Sequence, residues 1–202
     1  SEMCIRDRSD APSPSPEMLG TMIVVVGPSG AGKDTLIDYA AERLRDNPDV
    51  HFVRRVITRD SEAGGENHQG CTEEAFQRKK VAGEFCVSWS AHGLHYGIPA
   101  SVKEHLKAGG VAVANGSRSA LPHFRNAFPS LKVVVVTARP EILSERLANR
   151  GRESMAEIMG RLDRKVDAIC DSFDVTTIDN SGEIEEAGSA LLALLQDCLS
   201  AR

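Results

Sequence analysis

Four short apolar runs, separated by stretches with helical spacing, set the plan of this chain. Met22, Ile23, Val24, Val25 and Val26 form a largely β-branched run bounded by glycine. Such a run, with no polar alternation, predicts a strand buried on both faces, as in a parallel sheet. Residues 33–45 follow, with Leu36, Ile37, Ala40, Ala41 and Leu44 at the spacing of one helical face. Residues 111–114 and 133–137 repeat the buried-strand pattern, and residues 175–178 read as the last strand. Residues 140–148 and the strongly charged 153–165 are predicted helices, and residues 184–199 close the chain as an amphipathic helix. Strands alternating with helices predict a doubly wound parallel sheet.

Two stretches depart from this plan. Residues 54–98 are rich in polar residues, glycine and aromatics, with only short apolar pieces around 84–89, and are predicted to form an inserted substrate lobe. Residues 1–20 carry charges and then Pro12, Pro14 and Pro16. Proline at every second position neither pairs in a sheet nor continues a helix, and no apolar core of a secretory signal precedes it. The first eight residues resemble translated adapter sequence. The segment is expected to be disordered or foreign to the native chain, which would then start at Met18 or Met22, leaving 21–202 as the domain.

Composition narrows the function classes. The 202 residues suit one domain with an insertion. A net charge of −5 argues against general nucleic-acid binding. No apolar run approaches the roughly 20 residues of a membrane span. Neither nucleic acid nor a membrane is therefore an expected partner, and no feature of the sequence sets an oligomeric state. Cys4, Cys71, Cys86, Cys170 and Cys198 are scattered, which is neither a disulfide framework nor zinc spacing. Reduced thiols and a cytoplasmic location are the default expectation. Seventeen of the 24 basic residues are arginine. Arginine presents a planar fork that grips phosphates in pairs of bonds. Genomic base composition is the other reading of that excess.

Chemistry enters at Gly27-Pro28-Ser29-Gly30-Ala31-Gly32-Lys33, which follows the first strand and opens the first helix. This matches G-x-x-x-x-G-K in the setting that the phosphate-binding loop requires. Glycines let successive N–H groups curl around a phosphate, the helix N-terminus adds donors, and Lys33 supplies a point charge. ATP is the expected cofactor, bound through residues 27–33 with Asp34 and Thr35. Asp34 stands where the motif has Ser or Thr for Mg²⁺. A carboxylate can ligate Mg²⁺ as well as a hydroxyl does. The residue after the strand 111–114 is Asn115, which is neutral, so Asp34 is expected to carry the carboxylate charge that this strand lacks. A favourable first-turn acid against the helix dipole is the alternative.

Further motifs carry a resemblance. Ile57-Thr58-Arg59-Asp60, Gly65-Glu66-Asn67-His68, Tyr96-Gly97, Asn115-Gly116-Ser117-Arg118 and Arg146-Leu147-Ala148-Asn149-Arg150-Gly151 together resemble the guanylate-kinase-like P-loop kinases. Within that group the sequence is most similar to the ribose 1,5-bisphosphate phosphokinases. The resemblance runs over about residues 21–199. It implies a P-loop NTPase-type three-layer α/β fold, with a parallel sheet, flanking helices, an inserted substrate lobe and an Arg-rich lid at about 146–165. It implies transfer of the ATP γ-phosphoryl group to the 1-phosphate of ribose 1,5-bisphosphate, giving 5-phosphoribosyl 1-diphosphate in connection with phosphonate use. Arg150 and Arg161 would neutralise the transferring group, and Arg146 would sit against ATP. Arg59, Tyr96 and Arg118 would hold the acceptor, and Glu66 and Asn67 its ribose hydroxyls. Where guanylate kinases read guanine, Ser88 and Ile98 stand here, and Glu62 replaces a second phosphate-binding arginine, so GMP is expected to be a poor substrate. Another small-molecule acceptor, such as guanylate or gluconate, is the alternative. A non-catalytic interaction module is disfavoured, because Gly27, Gly32 and Lys33 are intact.

Overall fold

The computed structural model describes residues 20–149 and 173–201. The expected helix at 153–165, Arg150 and Arg161, and nearly all of the N-terminal segment lie outside the described residues.

Five parallel strands form the main sheet: β1 (Thr21–Val26), β2 (Val50–Phe52), β7 (Val111–Asn115), β8 (Leu131–Thr137) and β9 (Asp174–Asp179). Their order across the sheet is β2-β7-β1-β8-β9, which puts β1 at the centre. Residues 22–26 are fully buried, as the unbroken apolar run predicts. Alternation sends Met22, Val24 and Val26 into one core and Ile23 and Val25 into the other. Helices α1 (Lys33–Leu44), α5 (Pro140–Asn149) and α6 (Ile184–Ser200) cover the second face. Helices α3 (Val102–Lys107) and α4 (Leu121–Ala127) cover the first. The result is helix, sheet, helix in three layers.

A second sheet of order β4-β3-β6-β5 stands on the first face. It contains β3 (Val56–Ile57), β4 (Gln69–Gly70), β5 (Phe85–Ala91) and β6 (Leu94–Pro99), with α2 (Glu73–Val81) packed on β5 through Phe76 and Phe85. The antiparallel pair β5–β6 sets Trp89 opposite Tyr96. Trp89 also meets Phe124 of α4 at 5.6 Å between ring centroids, which seats this hairpin on the main core. One strand of the main sheet, β2, is absent from the apolar pattern. It is three residues long, and its middle residue, His51, is exposed. Its place is set by pairing with β7. No helix among the described residues is long and apolar enough to cross a membrane.

Candidate functional site

The loop at 27–33 leaves the central strand through a space only glycine fits. A Cβ on Gly27 would lie 2.2 Å from the carbonyl oxygen of Val136. Gly32 caps α1 with φ of 87°, and a Cβ there would lie 2.5 Å from Asn180 Nδ2. Side chains are excluded at both points by contact, and at Gly32 by backbone conformation as well. Lys33 Nζ donates to the carbonyls of Gly27 at 2.8 Å and Pro28 at 3.3 Å. Burial brings the Lys33 pKa down to about 8; Asp34 and Glu66 pull it back up, and Arg55 and Arg118 press it down further.

Above the loop opens a cleft of about 650 Å³. Lys33, Asp34 and Thr35 line it from the start of α1, together with Gly27, Pro28 and Ser29. Trp89, Ala91, His92 and Tyr96 of the β5–β6 hairpin form the facing wall. Asn115 and Arg118 enter from the end of β7, and Thr137 from the end of β8. The strands β1, β7 and β8 meet the cleft at their carboxyl ends, where ligands bind in open α/β sheets.

The structure brings together most of the predicted residues and separates a few. Lys33, Asp34, Thr35, Tyr96 and Arg118 share the cleft with Gly30 and Gly32. Ala31 turns away from it. Its side chain is fully buried in the second core, and its N–H donates to the Pro28 carbonyl at 3.2 Å. Arg146 lies behind the loop. It donates to the Gly30 carbonyl at 3.2 Å and the Asn180 carbonyl at 2.8 Å. Glu66 is largely buried, with Oε1 accepting from Arg55 Nε at 2.9 Å and Oε2 accepting from Asn115 Nδ2 at 3.1 Å. Asn67 is exposed and off the cleft wall. Arg59 is also off the wall. Its Nη2 donates to the Gly64 carbonyl at 3.2 Å and lies 3.4 Å from His68 Nδ1. His68 itself is 1% exposed, with its two ring nitrogens 3.0 Å from the carbonyl oxygens of Glu66 and Asp60. It holds the loop that presents Glu66. Ser88 and Ile98 do not line the cleft, and Ile98 is fully buried.

Three residues were not expected to matter as they do. Arg55 is 9% exposed and lines the cleft, beside the exposed Arg54. Asn180 is 3% exposed and donates to the Ala31 carbonyl at 2.8 Å, tying the end of β9 to the phosphate loop. Asn115 uses its amide nitrogen to bridge the carboxylates of Asp34 and Glu66. No signal in the sequence separates Arg55 from its neighbour Arg54.

A divalent cation fits the oxygens here in one way. Mg²⁺ takes one or two protein oxygens and completes its octahedron from phosphates and water. Asp34 and Thr35 offer such oxygens in the first turn of α1, on the cleft wall. Among the described residues no group of three or more His, Cys, Asp or Glu side chains gathers to hold a metal unaided. The donor set therefore suits a cation that arrives with a polyphosphate.

Known proteins agree with this architecture. The model of a family described as an AAA domain matches residues 23–162. A ribose 1,5-bisphosphate phosphokinase of Agrobacterium fabrum is 59% identical over 175 residues, covering 87% of this chain and 96% of that protein. The enzyme of the same name from Rhizobium etli is 52% identical over 181 residues, covering 90% of this chain and 92% of that protein. Among solved structures, guanylate kinase from Anaplasma phagocytophilum superposes with a TM-score of 0.67 at 16% identity, over 90% of this chain and 87% of that one. An unliganded sugar kinase from Janibacter superposes with a TM-score of 0.52 at 17% identity, over 90% of this chain and 97% of that one. The two structures share the fold with this chain.

Proposed function

The chain belongs to the ribose 1,5-bisphosphate phosphokinase family, and we propose that it performs the reaction its relatives are named for. It transfers the γ-phosphoryl group of ATP to the 1-phosphate of ribose 1,5-bisphosphate, giving 5-phospho-α-D-ribose 1-diphosphate and ADP. The observation that carries this reading is the shape of the cleft. A phosphate loop ending in Lys33 faces a wall that carries Tyr96, and Arg118 enters from the end of β7, so the cleft holds phosphate-binding groups beyond the loop itself.

The chemistry asks for positioning more than for a base. A phosphate monoester has a second pKa of about 6, so at neutral pH the attacking oxygen is already largely deprotonated. Charge neutralisation and alignment supply the rest. Residues 27–33 hold the β- and γ-phosphates through backbone N–H groups. Lys33 leaves the carbonyls of Gly27 and Pro28 for the phosphate oxygens. Tyr96 and Arg118 orient the acceptor, and Arg150 and Arg161 are assigned to the transferring group by the resemblance alone. Asp34 and Thr35 would hold Mg²⁺, which when bound neutralises phosphate charge. Arg146 and Asn180 act from behind, keeping the loop carbonyls turned away from the nucleotide.

The test is ADP release, measured by a coupled assay with Mg²⁺ and ATP, against a panel of acceptors. Ribose 1,5-bisphosphate should support turnover at least 100-fold faster than GMP or gluconate. Equal or faster turnover with GMP would replace this reading with guanylate kinase activity.

A further inference from the structure

One buried cation on the cleft wall has no task in the account above. Arg55 precedes β3 and is held on one side only. Its Nε and Nη2 donate to the same oxygen of Glu66, at 2.9 and 2.5 Å. Its guanidinium carbon lies 4.8 Å from the ring centroid of Tyr96 and 5.7 Å from that of Trp89. Those two rings are stacked, 5.3 Å apart and 9° from parallel. The carboxylate and the stacked pair together fix the plane of the guanidinium.

A guanidinium has five N–H donors in a rigid fork. Glu66 takes two of them, from the Nε edge. Among the described residues no other acceptor meets Arg55, so the Nη1/Nη2 edge is open on a residue that lines the cleft. That edge matches two oxygens of a phosphate in a bidentate pair. The Glu66 charge is shared, since its other oxygen accepts from Asn115, which also donates to Asp34 at the start of α1. Arg55 is therefore joined to the transfer end of the cleft by a continuous chain of hydrogen bonds. Arg59, by contrast, is engaged with Gly64 and His68 of its own loop.

We propose that Arg55 binds a phosphate group of the acceptor through its open Nη1/Nη2 edge, with Glu66 as the positioning residue that holds the other edge. This rests on the acceptor reading above. It makes the inserted lobe select for phosphorylated acceptors, because a sugar without phosphate leaves this desolvated fork unmatched.

Calorimetric binding of ribose 1,5-bisphosphate and of ADP to the full chain tests this in the wild type, R55K, R55Q, E66Q and E66A. R55K keeps a cation against Glu66 and protects the fold, but it lacks the fork. A hydrogen bond to a charged group is worth about 1.5–3 kcal/mol, or roughly 10- to 100-fold in affinity. R55K should weaken acceptor binding by at least about tenfold and R55Q by more, with ADP binding within about twofold of wild type. E66Q keeps an oxygen on the Nε edge and should hold acceptor affinity within about threefold, whereas E66A should lose about tenfold. Acceptor binding unchanged in R55K and R55Q would overturn the proposal while leaving the proposed function standing. Parallel loss of acceptor and ADP in R55K would make Arg55 a structural cation and also overturn it. Equal losses in E66Q and E66A would remove Glu66 as a positioning residue. A wild type that binds ADP but not ribose 1,5-bisphosphate would overturn the acceptor reading itself, and this proposal with it.

Discussion

The side-chain amide of Asn115 donates a hydrogen bond to the carboxylate of Asp34, joining the end of β7 to the first turn of α1. The usual arrangement in P-loop enzymes is a hydroxyl after the lysine and a carboxylate at the later strand. Here a carboxylate, Asp34, follows the lysine and an amide, Asn115, stands at the later strand, which suggests an exchange of the carboxylate's position.

This exchange predicts a pattern in a double-mutant cycle. N115D puts a second carboxylate against Asp34 in a partly buried site, and like charges in contact repel. Turnover should fall at least tenfold, and the Mg²⁺ requirement should rise. D34S alone removes the carboxylate and should also raise it. D34S/N115D restores one hydroxyl and one carboxylate and should recover most of the activity. Additive losses, read from Mg²⁺ titrations of the three variants, would count against the exchange.

Lys33→Ala should reduce turnover by about 10²- to 10³-fold, the scale for removing one preorganised charge-stabilising donor. Its thermal midpoint should stay level or rise, because the lysine is desolvated with its pKa held down to about 8. A melting temperature several degrees lower would show that Lys33 supports the fold.

The same pKa sets a pH effect. A lysine ordinarily at 10.5 and held at about 8 binds protons less readily folded than unfolded. In the window between those values the ligand-free chain gains stability from this group as pH rises. Polyphosphate binding reverses the shift. At pH 8, ATP binding should take up about half a proton, read by calorimetry in buffers of different ionisation enthalpy. No uptake, or the same uptake in Lys33→Ala, would contradict the assignment.

Asn180→Asp tests the support behind the loop. It replaces a donor 2.8 Å from the Ala31 carbonyl with an acceptor that repels it. The variant should lose about 2 kcal/mol of stability and bind ATP more weakly. A variant that melts and binds ATP like the wild type would show that the loop does not depend on this contact.

Much of this was legible in advance, for physical reasons. β1, β7 and β8 are buried on both faces, so their apolar runs are unbroken. The phosphate loop was legible because close approach leaves no alternative to glycine at 27 and 32. β2 was not, because its partner strand fixes it and its own three residues do not. Arg55 was hidden by its chemistry. A charged residue reads as surface, and only the meeting of Glu66, Tyr96 and Trp89, which are distant in sequence, reveals it as buried. Glu66 was expected to meet ribose hydroxyls; its carboxylate is engaged with Arg55 and Asn115.

The most direct measurement is the identity of the product. Phosphorus NMR of the full chain with ATP, Mg²⁺ and ribose 1,5-bisphosphate should show the 1-phosphate signal replaced by two coupled diphosphate signals on the anomeric position, in step with ADP. ADP formed with the 1-phosphate signal intact, or a nucleoside diphosphate formed preferentially when GMP is added, would contradict the account.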